Sequence, residues 1–226
     1  MVDYRGFRLS KLTEPRFRHM LLLLFWPAYG LYFYAIEWII PRDFYHVMWC
    51  PVDDMIPFNE LFLIPYLFWF VYLVGAHAYT FFVDVAAFRR LMYNIIFMFG
   101  LTCVIFVVFP TCQQMRPEVF PRDNVLTRLT AWFYTTDTST NVCPSLHVCG
   151  SFAAAAAFAD TKRFSSRGWK AAHFGIAVLI SVSTVFVKQH SVIDTVCGIL
   201  FSAAAYWIVY QYQGRKASRR SQCCQL

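Results

Sequence analysis

Three short segments, far apart in the chain, hold side chains suited to moving a phosphoryl group. They are Gln114-Met115-Arg116-Pro117, Cys143-Pro144-Ser145-Leu146-His147 and Lys188-Gln189-His190-Ser191-Val192-Ile193-Asp194. His190 and Asp194 are spaced i, i+4 and so share a helix face. A carboxylate there fixes the proton on one ring nitrogen and aims the other at phosphorus. His147 follows Pro144, a residue favoured at a helix start, and a second histidine suits protonation of a leaving oxygen. Ser145 and the unpaired N–H groups of that helix start suit phosphate oxygens, and Arg116 can grip two of them at once. Phosphoryl transfer rests on positioning and charge stabilisation, so the set calls for no metal and no cofactor.

These segments need a scaffold that brings them to one place. The 226 residues suit a single domain. Apolar residues make up 58% and charged residues 15%, too little charge to cover a water-soluble surface. Six apolar stretches come near the roughly 20 residues a bilayer core requires. They run about His19–Ile40, Leu61–Val83, Leu91–Phe109, Ser145–Ala159, Ala171–Val187 and Val192–Tyr212. The fold class expected is therefore all-α, a polytopic bundle of six transmembrane helices. The fourth stretch is short, and its Ala153–Ala157 run suits close packing inside the bundle rather than lipid. The first follows five basic residues and reads as a retained signal anchor.

Lys and Arg placement gives the orientation. With the N-terminus inside, fifteen of the twenty basic residues fall in inner segments. These include the N-terminal segment 1–18 and the basic tail 213–226. Only Arg42, Arg116, Arg122, Arg128 and Lys188 fall outside. This bias predicts both termini in the cytoplasm and all three motifs on the opposite face. The net charge of +7 belongs to topology rather than to a nucleic-acid surface. The long outer segment of about 110–144 reads as a functional or disordered loop.

The remaining suspects carry less. No paired Cys spacing suggests zinc. Cys50, Cys112 and Cys143 fall in outer loops, with the balance against a disulfide among them. The terminal Cys223-Cys224-Gln225-Leu226 has the length of a lipidation signal but a polar third position. Glu37, His19, His46, His77 and His173 read as satisfied or interfacial side chains. Asp53 and Asp54 suit a headgroup hydroxyl or cation, a solvated loop or a helix cap. Arg122 and Asp123 read as a surface pair.

Pro144-Ser145-x-His147 resembles the PSxH motif of type 2 phosphatidic acid phosphatases, the PAP2 superfamily. The order Arg-Pro, PSxH, HxxxD across six helices is similar to that family throughout. The resemblance implies a core shared with vanadium haloperoxidases. It also implies that His190 attacks phosphorus to form a phosphohistidine, that His147 is the general acid, and that Asp194 orients His190. Two departures stand out. The family's first motif has a lysine where this chain has Phe109. Its third motif has Ser-Arg where this chain has Ser183-Thr184. Lys188 is the candidate to replace one missing charge beside Arg116 and Ser145. The departures, and the Asp53–Phe58 segment, resemble a divergent branch related to inositol-phosphoryl and other lipid phosphotransferases.

Three readings follow. The first is a lipid phosphate phosphatase whose partners are a lipid phosphate substrate and the bilayer, with no nucleic acid. The second is a lipid phosphotransferase that passes the group to an alcohol. The third is a non-catalytic lipid-binding or transport protein on the same fold. Under the first two, Lys188→Ala should lose most turnover while the protein stays folded, as measured by phosphate release and thermal unfolding. Near-normal rates would remove Lys188 from the site.

Overall fold

The computed structural model describes residues 3–212; the basic tail and the terminal Cys-Cys-Gln-Leu lie outside the described residues. The chain is helical, with α1 (Phe25–Ile39), α2 (Pro51–Met55), α3 (Leu63–Val83), α4 (Val85–Val108), α5 (Val125–Thr136), α6 (Leu146–Asp160), α7 (Arg167–Phe186) and α8 (Val192–Tyr206). Two short strands, β1 (His46–Val47) and β2 (Thr111–Cys112), pair in parallel.

Five helical spans are long and apolar enough to cross a bilayer: Arg18–Ile39, Glu60–Val83, Val85–Val108, Arg167–Phe186 and Val192–Tyr210. The sixth expected span is a departure. Helix α6 has 15 residues, about 22 Å of helix against a hydrocarbon core of about 30 Å. It packs against α3, α4, α7 and α8 at once. Ala153, Ala154 and Ala157 are fully buried in that contact. A side chain larger than methyl on those faces would push the surrounding helices apart. Large apolar residues such as Leu31, Ile64, Val71, Val104 and Leu200 instead face outward, as a lipid-solvated bundle requires.

The expected loop of about 110–144 is not structureless. Asn124 caps α5, accepting the N–H groups of Leu126 and Thr127, while Thr127 Oγ1 accepts the Asn124 N–H in return. This reciprocal cap lies in the sequence as Asn-x-x-Thr, but the polar composition of the stretch conceals it. The surface pairing expected of Arg122 with Asp123 also differs. Arg122 makes a two-pronged ion pair with Glu60 at 2.7 Å, and Asp123 pairs with Arg128. Helix α5 is thereby tied to the start of α3.

Two contacts knit the ends of the helices that carry the motifs. The Ser145 N–H donates to the Asp194 carbonyl at 3.1 Å, joining the start of α6 to the start of α8. The Cys143 N–H donates to Thr111 Oγ1, joining the same helix start to the segment that leaves α4. At the other end of α6, Asp160 pairs with Arg90 at the start of α4. Gly198 sets the α6–α8 spacing. A Cβ there would lie 2.8 Å from Val148 Cβ and 3.0 Å from the Ser145 carbonyl oxygen. Neither neighbour is a flexible side-chain end. Gly198→Ala should therefore destabilise the protein by about 1–3 kcal/mol, the cost of overpacking, read as a lower Tm in detergent.

Candidate active site

The two histidines meet. His190 Nε2 lies 3.4 Å from His147 Nδ1, with ring centroids 5.6 Å apart. His190 occupies the tight turn between α7 and α8. The N–H groups of Gln189 and His190 both donate to the Thr184 carbonyl, which closes that turn. His147 sits in the first turn of α6. Its ring packs on Tyr66 and Trp69, each 4.4 Å away between centroids. Those two rings come from α3 and fix the orientation of the imidazole. His147 Nε2 and His190 Nδ1 are buried without a hydrogen-bond partner.

Asp194 Oδ2 is 3.4 Å from His190 Nδ1, an ion-pair distance rather than a made hydrogen bond. The same oxygen accepts the Ser191 N–H at 2.9 Å, closing the N-terminal capping box of α8. Asp194 is fully buried, and its Oδ1 has no partner.

The phosphate ligands read from the sequence are placed unequally. Arg116 lies over the Tyr134 ring at 4.5 Å and donates to the carbonyls of Tyr134 and Asp137 and to Gln189 Oε1. Gln189, the residue beside His190, thus ties Arg116 to the turn that carries the histidine, and Arg116 Nε remains without a partner. Burial lowers the Arg116 pKa, opposed by the nearby Asp137 carboxylate. Ser145 is fully buried, and its hydroxyl caps α6 by accepting the Val148 N–H. Lys188 turns away from the pair, and its ammonium donates to the Asp53 carbonyl at 2.7 Å. Where the resemblance leads one to look for further cations, Phe109 stacks on His46, and the Ser183 and Thr184 hydroxyls bond back into their own helix.

Several residues of this site escaped the sequence reading. The Asp137 carboxylate accepts from Tyr66 Oη at 2.8 Å and from Gln189 Nε2 at 3.1 Å. Burial raises its pKa, while Tyr66, His190 and Arg116 act against that rise. Asp137 lies in no motif, and nothing in its local sequence marks it. Glu37, read as a satisfied or interfacial side chain, accepts from Thr140 Oγ1 and Asn141 Nδ2, which anchors the segment leading to Pro144. Both ring nitrogens of His77 are bonded, to Leu73 and Trp26, whereas His173 is bonded at Nδ1 by Tyr72 and its buried Nε2 has no partner. The described cysteines Cys50, Cys112 and Cys143 are free thiols.

Asp53 is a cap, one of the uses its sequence allowed, and it caps two helices. Its carboxylate accepts from the N–H of Cys50, the residue that caps α2, and from Ser191 Oγ at 2.6 Å and Val192 N–H at 2.8 Å at the start of α8. Burial alone would raise its pKa, but the hydrogen bonds from Ser191, Val192 and Cys50 outweigh it and hold the group below its ordinary 3.8.

The model of the family described as the PAP2 superfamily matches residues 90–218, more than half of the chain. Comparison with curated proteins and with solved structures finds no match.

A carboxylate held below its ordinary pKa stabilises the fold fully above that value, and loses the contribution as pH falls through the lowered one. Asp53→Asn should therefore lower Tm at neutral pH and flatten its decline below about pH 4. Asp53→Ala, which strands the buried donors of Ser191 and Val192, should cost about 2–4 kcal/mol. Acid unfolding curves of the three proteins check both.

Proposed function

We propose, from the premise that the chain belongs to the PAP2 superfamily, that it is an integral membrane phosphatase acting on lipid phosphates through a phosphohistidine at His190. The observation that carries this reading is the 3.4 Å approach of His190 to His147, with Asp194 behind the first ring. If Asp194 accepts the Nδ1 proton of His190, the His190 Nε2 lone pair is exposed. His147 Nδ1–H then points at that lone pair in the resting protein. A phosphoryl group entering between the rings parts them and meets a nucleophile on one side and a proton donor on the other.

The step is written with its protons. His190 Nε2 forms a bond to phosphorus as the bond to the leaving oxygen breaks, and His147 protonates that oxygen. Water then attacks the phosphohistidine, gives its proton to His147, and releases inorganic phosphate. Asp194 stabilises the cationic His190 ring throughout. Arg116, through its unpaired Nε–H, and the N–H groups that a helix start leaves over at Leu146 and His147 would hold the phosphoryl oxygens. Lys188 adds positive charge two residues from the nucleophile, at the boundary of the site.

In this reading α6 enters from the outer face as a short sixth pass. Its start lies with the ends of α4 and α7, and its end lies with the start of α4. The charge bias of the loops then puts the histidine pair on the non-cytoplasmic side.

Purified protein in detergent should release inorganic phosphate from phosphatidic acid, and His190→Ala should not. His147→Ala should lose about 10²–10⁴-fold on the lipid, the usual worth of a general acid. It should recover much of that loss on an aryl phosphate, whose phenolate leaves without a proton. Wild-type turnover by His190→Ala would sink the mechanism.

A further inference from the structure

A small cavity of about 220 Å³ lies at the end of the bundle away from the histidine pair. Arg18, His19, Leu21, Leu22, Arg89 and Tyr93 line it. Arg90, beside it, pairs with Asp160 at the end of α6, whereas His147 is at the start of that helix. Arg18 and Arg89 belong to the first turns of two apolar spans, Arg18–Ile39 and Val85–Val108. The cavity thus lies at the depth where headgroups meet the hydrocarbon core. Its cations are left over from the pairing around them. Arg16 pairs with Asp3, and Arg90 with Asp160. Arg18 and Arg89, their near neighbours in sequence, have no ion pair and no side-chain hydrogen bond among the described residues.

His19 sharpens the ligand chemistry. It is 2% exposed, and the rings of Tyr4, Phe81 and Phe88 hold its imidazole in place. The Tyr4 hydroxyl donates its one hydrogen to the Phe81 carbonyl at 2.7 Å, and the same oxygen lies 2.9 Å from His19 Nε2. Nε2 must therefore carry a hydrogen and donate to Tyr4. In the neutral ring Nδ1 then keeps its lone pair, and Nδ1 is buried without a partner. Two unpaired guanidiniums and a buried acceptor call for a group that is anionic and still brings a proton. A cationic headgroup would meet the guanidiniums, and a phosphodiester has the charge but no proton to give. A phosphate monoester has three terminal oxygens. Its second proton leaves at a pKa of about 6, close to the ordinary imidazole value of about 6.5, so the two groups can share it. Two oxygens are left for the guanidiniums.

We infer that this cavity is a second phosphate site, one that binds the monoester headgroup of a membrane lipid between Arg18, Arg89 and His19 without acting on it. Free inorganic phosphate shares the same chemistry. Leu21 and Leu22 in the wall favour the lipid, whose glycerol and first acyl carbons they would cover. The bound headgroup would tie the start of the first span to the start of α4, and α4 packs on α6, the helix of His147. The site does not depend on the role of His190.

Equilibrium binding tests this. The purified full chain in detergent is given the phosphonate analogue of phosphatidic acid, labelled in an acyl chain. The analogue keeps three terminal oxygens and their proton but has no ester oxygen to leave, so it is not consumed. Bound label per chain is measured, with phosphatidylglycerol, a diester, and inorganic phosphate as competitors. Arg18→Gln and Arg89→Gln should each weaken one class of bound lipid at least about tenfold, the worth of a charge-assisted hydrogen bond. Neither side chain has a partner among the described residues, so the fold is kept. Lipid held at the histidine pair forms a separate class that these variants leave unchanged. Phosphatidylglycerol should displace the first class at least about tenfold less well than phosphatidic acid does. His19→Phe, which keeps the ring packing and removes Nδ1, should erase most of that difference. Binding unmoved in both arginine variants, or equal displacement by the diester, would overturn the site. Displacement of this class by inorganic phosphate as readily as by phosphatidic acid would make the free ion the ligand and overturn the lipid assignment. Failure of the wild type to release phosphate from phosphatidic acid would count against the histidine mechanism alone.

Discussion

The meeting of two helix starts is the constraint on which the site depends. Ser145 at the head of α6 donates its N–H to the Asp194 carbonyl at the head of α8. A helix start is rich in unpaired N–H groups, and two such starts brought together would repel without mediators. The mediators are carboxylates and carbonyls. Asp194 caps its own helix, Asp53 reaches in from α2, between α1 and α3, to cap it again, and the Asp194 carbonyl takes the N–H from Ser145. With the heads so joined, His147 and His190 have little freedom to be anywhere but beside each other.

The same arrangement explains why the shortest apolar helix lies at the centre. A helix of full bilayer length, lined with large side chains, could not bring its first turn so close to α8. Helix α6 is short and alanine-rich, and Gly198 removes a Cβ that would obstruct its approach to α8. The rings around its first turn come from α3, where Tyr66 and Trp69 clasp His147. Positioning of the general acid is thus divided between a helix that approaches closely and another that fills the space.

The parts of this design legible in the sequence are those with a period or a fixed spacing. Apolar runs located the membrane helices to within a few residues at most ends, although α4 begins six residues earlier than its run and takes in the basic pair Arg89-Arg90. The i, i+4 spacing paired Asp194 with His190, although His190 lies in the turn before α8 rather than on a helix face shared with Asp194, and Pro-Ser marked the head of α6. What stayed hidden is what one segment does for another. Asp53 could be a cap by its type, but only the fold shows that the cap is on a helix some 140 residues away. Asp137 and Gln189 acquire meaning through Arg116 and Tyr66, and no local pattern marks such a four-way contact. Helix α5 carried a reciprocal cap in plain view, but its polar composition reads as loop when the membrane segments set the scale.

The charge inventory also changes meaning once folded. On the sequence, the absent lysine and arginine suggest a weak grip on phosphate. In the structure, Arg116 is enclosed by carbonyls and the Gln189 side-chain oxygen, and Lys188 is turned toward Asp53 and Asp54. Arg116 is thus tied through Gln189 to the turn that carries His190, while the Lys188 ammonium is engaged by the Asp53 carbonyl. Lys188 therefore joins that turn to the same segment that caps α8, and its charge serves the packing of two segments rather than standing free beside the histidine pair.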